Sequence, residues 1–303
     1  MTMYRARCGE IPKEVRDSWP LAYAEWDRRD KRVLVKTSLL EHSRNVGEMI
    51  GWDETYDIEL KNEMIKRRLA VLENRSRERY EWDRKEIYDF AYMVGLYHDL
   101  GKSSKYYIGT CDCEKSRCYS TYRLHEMVSA ILMMRVLEAP FYKYKGAYER
   151  RAKLLAMVVA RHHAAMHTRH PRRIINEKSE LKLISDVINR IDAEVINNIL
   201  KDRRCSKYWF CKETGDFIKR SIEEKTKIDN LKALMNLGSF KGHSYIDYIL
   251  VSSLTGLLIV VDNIVAWRER SGESDPSKRP YIGYWIRELG IDENIKNPTP
   301  LWE

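Results

Sequence analysis

The stretch Ala91–Lys105, AYMVGLYHDLGKSSK, constrains the fold more than any other part of the chain. Ile87, Ala91, Val94 and His98 recur at steps of three and four, so they share one stripe of a helix. An imidazole therefore stands at the inner end of an apolar face, with the Asp99 carboxylate beside it. Gly101 is expected to supply a left-handed residue that ends the helix and turns the chain back over the pair. A neighbouring His and Asp at a helix end are, taken alone, more often a hydrogen-bonded terminus than a metal site. What decides between the two is whether further ligands converge on them.

Four other helical patterns carry the same anomaly. A helix expected over Thr37–Ile50 aligns Leu39, His42, Val46 and Met49, which places His42 on the buried stripe. One expected over Thr121–Glu138 aligns His125 with Val128, Ser129, Leu132 and Val136. In Tyr148–Met166, Leu155, Val158, Val159 and His162 line up, with His163 beside them. Tyr245–Arg270 is the most apolar helix, and Leu254, Leu258, Asp262 and Val265 fall together on it. Burying so many polar side chains unpaired would cost roughly 1–3 kcal/mol each, a penalty that a shared cation removes.

The remaining segments read more simply. Asp57–Glu86 interleaves both signs of charge and is expected to be a solvated helix. Glu180–Leu200 and Asp216–Met235 are expected to be two outer amphipathic helices, and Pro171 to end any helix before it. Residues 1–36 form an arm on the main body and residues 37–290 the main domain. Residues 291–303 form a tail, preceded by a short helix near Tyr284–Leu289. The expected architecture is one all-α helical bundle with local insertions.

Composition bounds the function. With 54 Lys+Arg against 45 Asp+Glu, the 303-residue chain carries +9, which favours an anionic partner such as nucleic acid. The first residues lack a signal-peptide pattern, and the longest uncharged apolar stretch, Tyr248–Val261, is too short to span a bilayer. The expectation is a cytoplasmic protein with no membrane partner. The absence of Gln and the richness in Lys, Arg and Glu point toward a thermophile. Six cysteines follow no zinc-finger spacing; free thiols are the favoured reading, with disulfides or a structural zinc as alternatives.

The segments LLEHSRNVG, HDLGK, HEMVSAIL, ARHH and VDNIVA, in this order, resemble the HD phosphohydrolase superfamily. Their local contexts are similar to the HD nuclease domain of the type I CRISPR interference nuclease-helicase. The resemblance covers about Leu39–Ala266 and implies an HD-domain helical bundle binding two divalent metal ions. His42, His98, Asp99 and Asp262 would hold one ion, and Asp99, His125, His162 and His163 the other, with Asp99 bridging. Five imidazoles with only two carboxylates favour Mn, Co, Ni, Fe or Zn over Mg. Asp99 and Lys102 are the expected catalytic residues, Lys102 touching a phosphate oxygen or, alternatively, lying exposed on a loop.

The resemblance also implies partners. Single-stranded DNA would be cut in antiviral defence, together with a separate helicase subunit and the type I effector complex. The family fuses a helicase, which is lacking here, and places an aromatic-Gln pair where this chain has Tyr107-Ile108. Between Lys143 and Arg173 stand nine Lys/Arg and one acid, Glu149, interleaved with Tyr142, Tyr144 and Tyr148. Arg161, Arg169, Arg172 and Arg173 are therefore the expected DNA-binding cations, a solvated surface being the competing reading. An HD phosphodiesterase or phosphohydrolase acting on small nucleotides is a rival, although AAMHTRHPRR follows the paired histidines instead of a GYP-type segment. A non-catalytic nucleic-acid-binding subunit with a structural metal centre is the third reading.

Overall fold

The computed structural model describes residues 10–51, 63–135, 145–163, 171–174, 176–224, 229–238 and 244–270. The chain is mainly α-helical, with a small sheet at one side. Along the chain come α1 (Lys13–Asp17), β1 (Leu21–Asp27), β2 (Val33–Ser38), α2 (Leu39–Ile50), α3 (Glu63–Tyr80) and α4 (Arg84–Tyr97). Two 3₁₀ turns, Leu100–Ser103 and Lys105–Tyr107, lead to β3 (Cys111–Glu114), β4 (Arg117–Ser120) and α5 (His125–Met134). Next are α6 (Lys145–Val159), α7 (Pro171–Ile174), α8 (Lys178–Ile188), α9 (Ala193–Leu200) and α10 (Arg203–Lys207). The series closes with α11 (Trp209–Glu223), α12 (Asn230–Gly238) and α13 (Tyr245–Arg270).

The core is built around α4. Every residue from Ile87 to Tyr97 is buried, so this helix is surrounded rather than laid on a surface. Its start is fixed by a capping box in which Asp83 accepts from the Glu86 amide and Glu86 reaches back to the Asp83 amide. That cap, following Glu81 in a left-handed conformation, separates α4 from α3, so the expected continuous helix over Asp57–Glu86 is two. Helices α2 and α4 cross where two glycines meet. A Cβ on Gly95 would stand 2.5 Å from the Cα of Gly47, closer than any side chain allows.

Gly101 corrects one expectation. The chain continues from His98 and Asp99 into the first 3₁₀ turn, and Gly101 has no left-handed backbone to supply. Glycine stands there because a Cβ would sit 2.2 Å from the carbonyl oxygen of His125. The Gly101 amide donates to Ser129 Oγ at 2.7 Å, and Ser129 Oγ donates to the His125 carbonyl at 2.8 Å. The Asp99 turn is thereby pinned to the beginning of α5.

The all-helical expectation is corrected by a four-stranded sheet ordered β2-β1-β4-β3. The N-terminal arm contributes two strands of it, and the cysteine-bearing segment the other two. The pairing Trp26↔Cys118 joins residues far apart in the chain. Val15, Leu21, Ala24, Trp26 and Cys118 form a second small core beneath this sheet. Cys113 and Cys118 are directly opposed in the β3–β4 hairpin and are disulfide-bonded, as are Cys205 and Cys211. Cys111 is also disulfide-bonded. The free-thiol reading is therefore overturned for the described cysteines.

Other boundaries moved for identifiable reasons. Glu180–Leu200 is two helices, because Asp192 caps the start of α9 with a bond from the Glu194 amide. Pro171 opens α7, as its missing N–H allows in a first turn; the residues just before it lie outside the described ones. The apolar helix α13 has the expected ends, but at 26 residues it is long and apolar enough, by length and composition, to cross a membrane. Within the protein 56% of its most apolar window is buried, including Leu254, Leu258 and Val261. The expected helix near Tyr284–Leu289 and the tail lie outside the described residues.

The glycine crossing generates a direct test. Gly95→Ala should lower the unfolding free energy by about 3 kcal/mol, because the added methyl meets backbone atoms that cannot yield. Urea denaturation monitored by tryptophan fluorescence measures it; a loss under about 1 kcal/mol would show that α2 can move away freely.

Candidate metal centre

Each of the seven expected ligands reaches one buried place. His42 comes from α2, and Asp262 from α13. His98 closes α4, and Asp99 follows it directly. His125 opens α5, while His162 and His163 occupy the turn that follows α6. His98 and Asp99 are fully buried, and His42, His125 and His162 nearly so.

The imidazoles are aimed by hydrogen bonds at their outer nitrogens. His98 Nδ1 donates to the Gly95 carbonyl at 2.6 Å, His125 Nδ1 to that of Tyr122 at 2.6 Å, and His162 Nδ1 to that of Val159 at 2.7 Å. In all three the acceptor lies three residues back, so the turn of backbone that carries each histidine also orients it. His42 Nδ1 lies 2.7 Å from Glu269 Oε2. This arrangement leaves Nε2 of all four rings facing inward, as metal-ligating histidines require.

Asp99 lies between two groups of these nitrogens. Its Oδ2 is 3.6 Å from His42 Nε2 and 3.4 Å from His98 Nε2. Asp262 Oδ1 closes that group at 3.0 Å from His42 Nε2 and 3.6 Å from His98 Nε2. The other oxygen, Oδ1, is 2.9 Å from His125 Nε2 and 3.8 Å from His162 Nε2. His163 Nε2 completes the second group at 3.3 Å from His125 Nε2. Ligands about 2.0–2.1 Å from a tetrahedral ion lie about 3.3 Å from one another. The observed separations match that spacing, so each group can hold one metal ion. His98 Nε2 and His162 Nε2 are buried without a hydrogen-bond partner, which suits both to ligating a cation.

The electrostatics without an ion are divided. Burial pushes the Asp99 carboxyl up, but His98, Lys102 and His125 together outweigh it and hold it well below the usual range. Asp262 is likewise held low, because bonds from His42 and His98 overcome its burial. Burial lowers His98, yet Asp99 and Asp262 prevail and raise it to about 10. His162 goes the other way, to about 3, through burial and the neighbouring His98 and His125. Burial and His162 lower His163 as well.

The other expected site residues are placed differently. Lys102 is neither exposed nor free: its Nζ is 2.6 Å from Asp99 Oδ2 and donates to the Ala22 carbonyl at 3.3 Å. Arg161 is committed to the fold, donating to the carbonyls of Met157 at 3.0 Å and Leu237 at 2.7 Å. Its expected role as a phosphate-binding cation would have to coexist with these two bonds. Arg173 is exposed. Arg169 and the side chain of Arg172 lie outside the described residues, as do Tyr142, Tyr144 and the side chain of Tyr148.

Glu269 was not anticipated. It orients His42 and also accepts from Asn45 Nδ2 at 3.0 Å. It stands seven residues after Asp262 on the same helix, hence two turns further along one face, and that spacing was available in the sequence. Comparison of the chain with protein-family models, with curated proteins and with solved structures found no match in any of the three.

The protonation pattern predicts how metal enters. At pH 7 a His98 raised to about 10 carries an inward proton in the ion-free protein, and coordination must expel it. Apparent metal affinity should therefore climb with pH from neutrality toward about 10, and binding at pH 7 should release at least one proton per chain. Calorimetry in two buffers of different ionisation enthalpy reads the proton count; a count of zero would contradict it.

Proposed function

We propose that this chain is a metal-dependent nuclease of the HD phosphohydrolase type, hydrolysing phosphodiester bonds of single-stranded DNA. It acts in the cytoplasm as the nuclease component of type I CRISPR interference, together with a helicase and the effector complex. The observation that carries this reading is the single carboxylate, Asp99, facing a ligand group with each of its oxygens. Paired ions sharing one carboxylate suit in-line displacement at phosphorus. When bound, divalent ions at these two groups supply Lewis acidity toward a water and toward the leaving oxygen of the phosphodiester. Mn, Co, Ni and Fe fit the imidazole-rich donor set better than Mg.

The chain's own residues set the conditions for that chemistry. Asp99 is kept ionised by Lys102 and its imidazole neighbours, so it meets cations as a carboxylate at any physiological pH. Lys102 adds a fixed positive charge beside the place where phosphate oxygens would lie. The backbone carbonyls of Gly95, Tyr122 and Val159, with Glu269, prevent the rings from turning away. The net charge of +9 favours a polyanionic substrate over a neutral one.

The test is cleavage of end-labelled single-stranded DNA with Mn, Co, Ni, Fe and Mg compared, beside cyclic dinucleotides and free nucleotides. Asp99→Ala should reduce the DNA cleavage rate at least about 100-fold, since both ion sites lose a ligand. Unchanged cleavage by that variant would refute the mechanism. Turnover confined to small nucleotides would replace DNA as the substrate.

A further inference from the structure

A cavity of about 510 Å³ opens beside the metal centre. On one side it is lined by Lys102, His125 and His163, and on the other by the sheet residues Tyr23, Asp112 and Tyr119. Its size lies within the range of sites that enclose a ligand of nucleotide size. None of the seven ligand positions accounts for the sheet side.

The chemistry of that side is aromatic and held in place. The Arg270 guanidinium lies over the Tyr23 ring, 3.7 Å from its centroid, and the Tyr23 hydroxyl donates to Glu25 at 2.9 Å. Arg270 follows Glu269 at the end of α13, so the helix that supplies Asp262 also supplies the cation of this stacked pair, and β1 its ring. Tyr119 sits on β4, an inner strand of the sheet, paired with Glu25 on one side and with Asp112 on the other. The Lys102 ammonium lies 5.3 Å from the centroid of Tyr122, another ring lining the cavity. Lys102 stands at the metal side, while on the sheet side Arg270 is stacked against the Tyr23 ring and the Asp112 carboxylate lies beside Tyr119. A group that presents a phosphate toward Lys102 and a flat uncharged ring toward Tyr119 satisfies both ends.

We infer that this cavity is a nucleotide subsite of a single-stranded nucleic acid, in which Tyr119 and the Tyr23–Arg270 stack receive a base while its phosphate lies at the metal centre. The inference rests on the nuclease reading for the identity of the strand. It adds a recognition element that the metal cluster lacks. Stacking on tyrosine is tolerant of base identity, so the subsite selects for unpaired bases rather than for sequence. A base still paired in a duplex cannot enter it.

Binding of a fluorescent 12-nucleotide dT strand, measured by anisotropy in EDTA with the full chain, tests the subsite without any cleavage. Tyr119→Ala should weaken binding about tenfold. Tyr119→Phe, which keeps the ring and controls for folding, should bind within about twofold of the unsubstituted chain. A single abasic position moved along the strand should reproduce the tenfold loss at one or two positions, and Tyr119→Ala should add nothing there. Equal binding by Tyr119→Ala, no dependence on the abasic position, or dTMP binding as tightly as the strand would each overturn the proposal. Base-dependent binding without cleavage in any metal would instead remove the nuclease reading and leave the subsite standing. Cleavage that ignores Tyr119 would do the reverse.

Discussion

A carboxylate with no access to water sits at the middle of this protein, and its neighbours answer to it. Asp99 is fully buried, a position that would neutralise an isolated carboxyl. It stays ionised because imidazoles converge on it from several helices and Lys102 presses on it from the adjoining turn. The fold achieves this convergence by close backbone approach. Gly47 and Gly95 let α2 and α4 touch, and Gly101 lets the Asp99 turn meet the start of α5. A bulkier residue at any of these points would force the two backbones apart, and with them the side chains they carry.

The ligands were legible because their signal is local. A polar residue falling on an apolar stripe shows itself within one or two turns, and His42, His98, His125, His162 and Asp262 all did so. The elements that escaped depend on distant partners. β1 has an ambiguous pattern of its own, and its register with β4 is set by residues some ninety positions away. Glu269 lay in plain spacing from Asp262, but its reason for being there is His42, on another helix. The cationic character of Arg161 was visible, whereas one of the two carbonyls it donates to, that of Leu237, belongs to α12, more than seventy residues away. Charge can be counted from sequence; whether a charge is available cannot.

The sheet changes the meaning of the N-terminal arm. Paired strands from both ends of the first 120 residues form a wall facing the metal ligands, and a hairpin disulfide, Cys113–Cys118, ties that wall at its edge. The helical bundle thus supplies the two groups of side chains that could hold metal ions, and the sheet supplies a surface of a different chemistry. Helix α13 joins the two through Asp262, Glu269 and Arg270. The candidate metal centre and the sheet are linked through one helix.

The proposed bridging of two ions by Asp99 would have a spectroscopic signature independent of any substrate. Protein stripped of metal and titrated with Mn²⁺ should take up two ions per chain. Its low-temperature electron paramagnetic resonance spectrum should then show two exchange-coupled ions, as a shared carboxylate imposes. A single uncoupled ion, or none, would contradict the central claim.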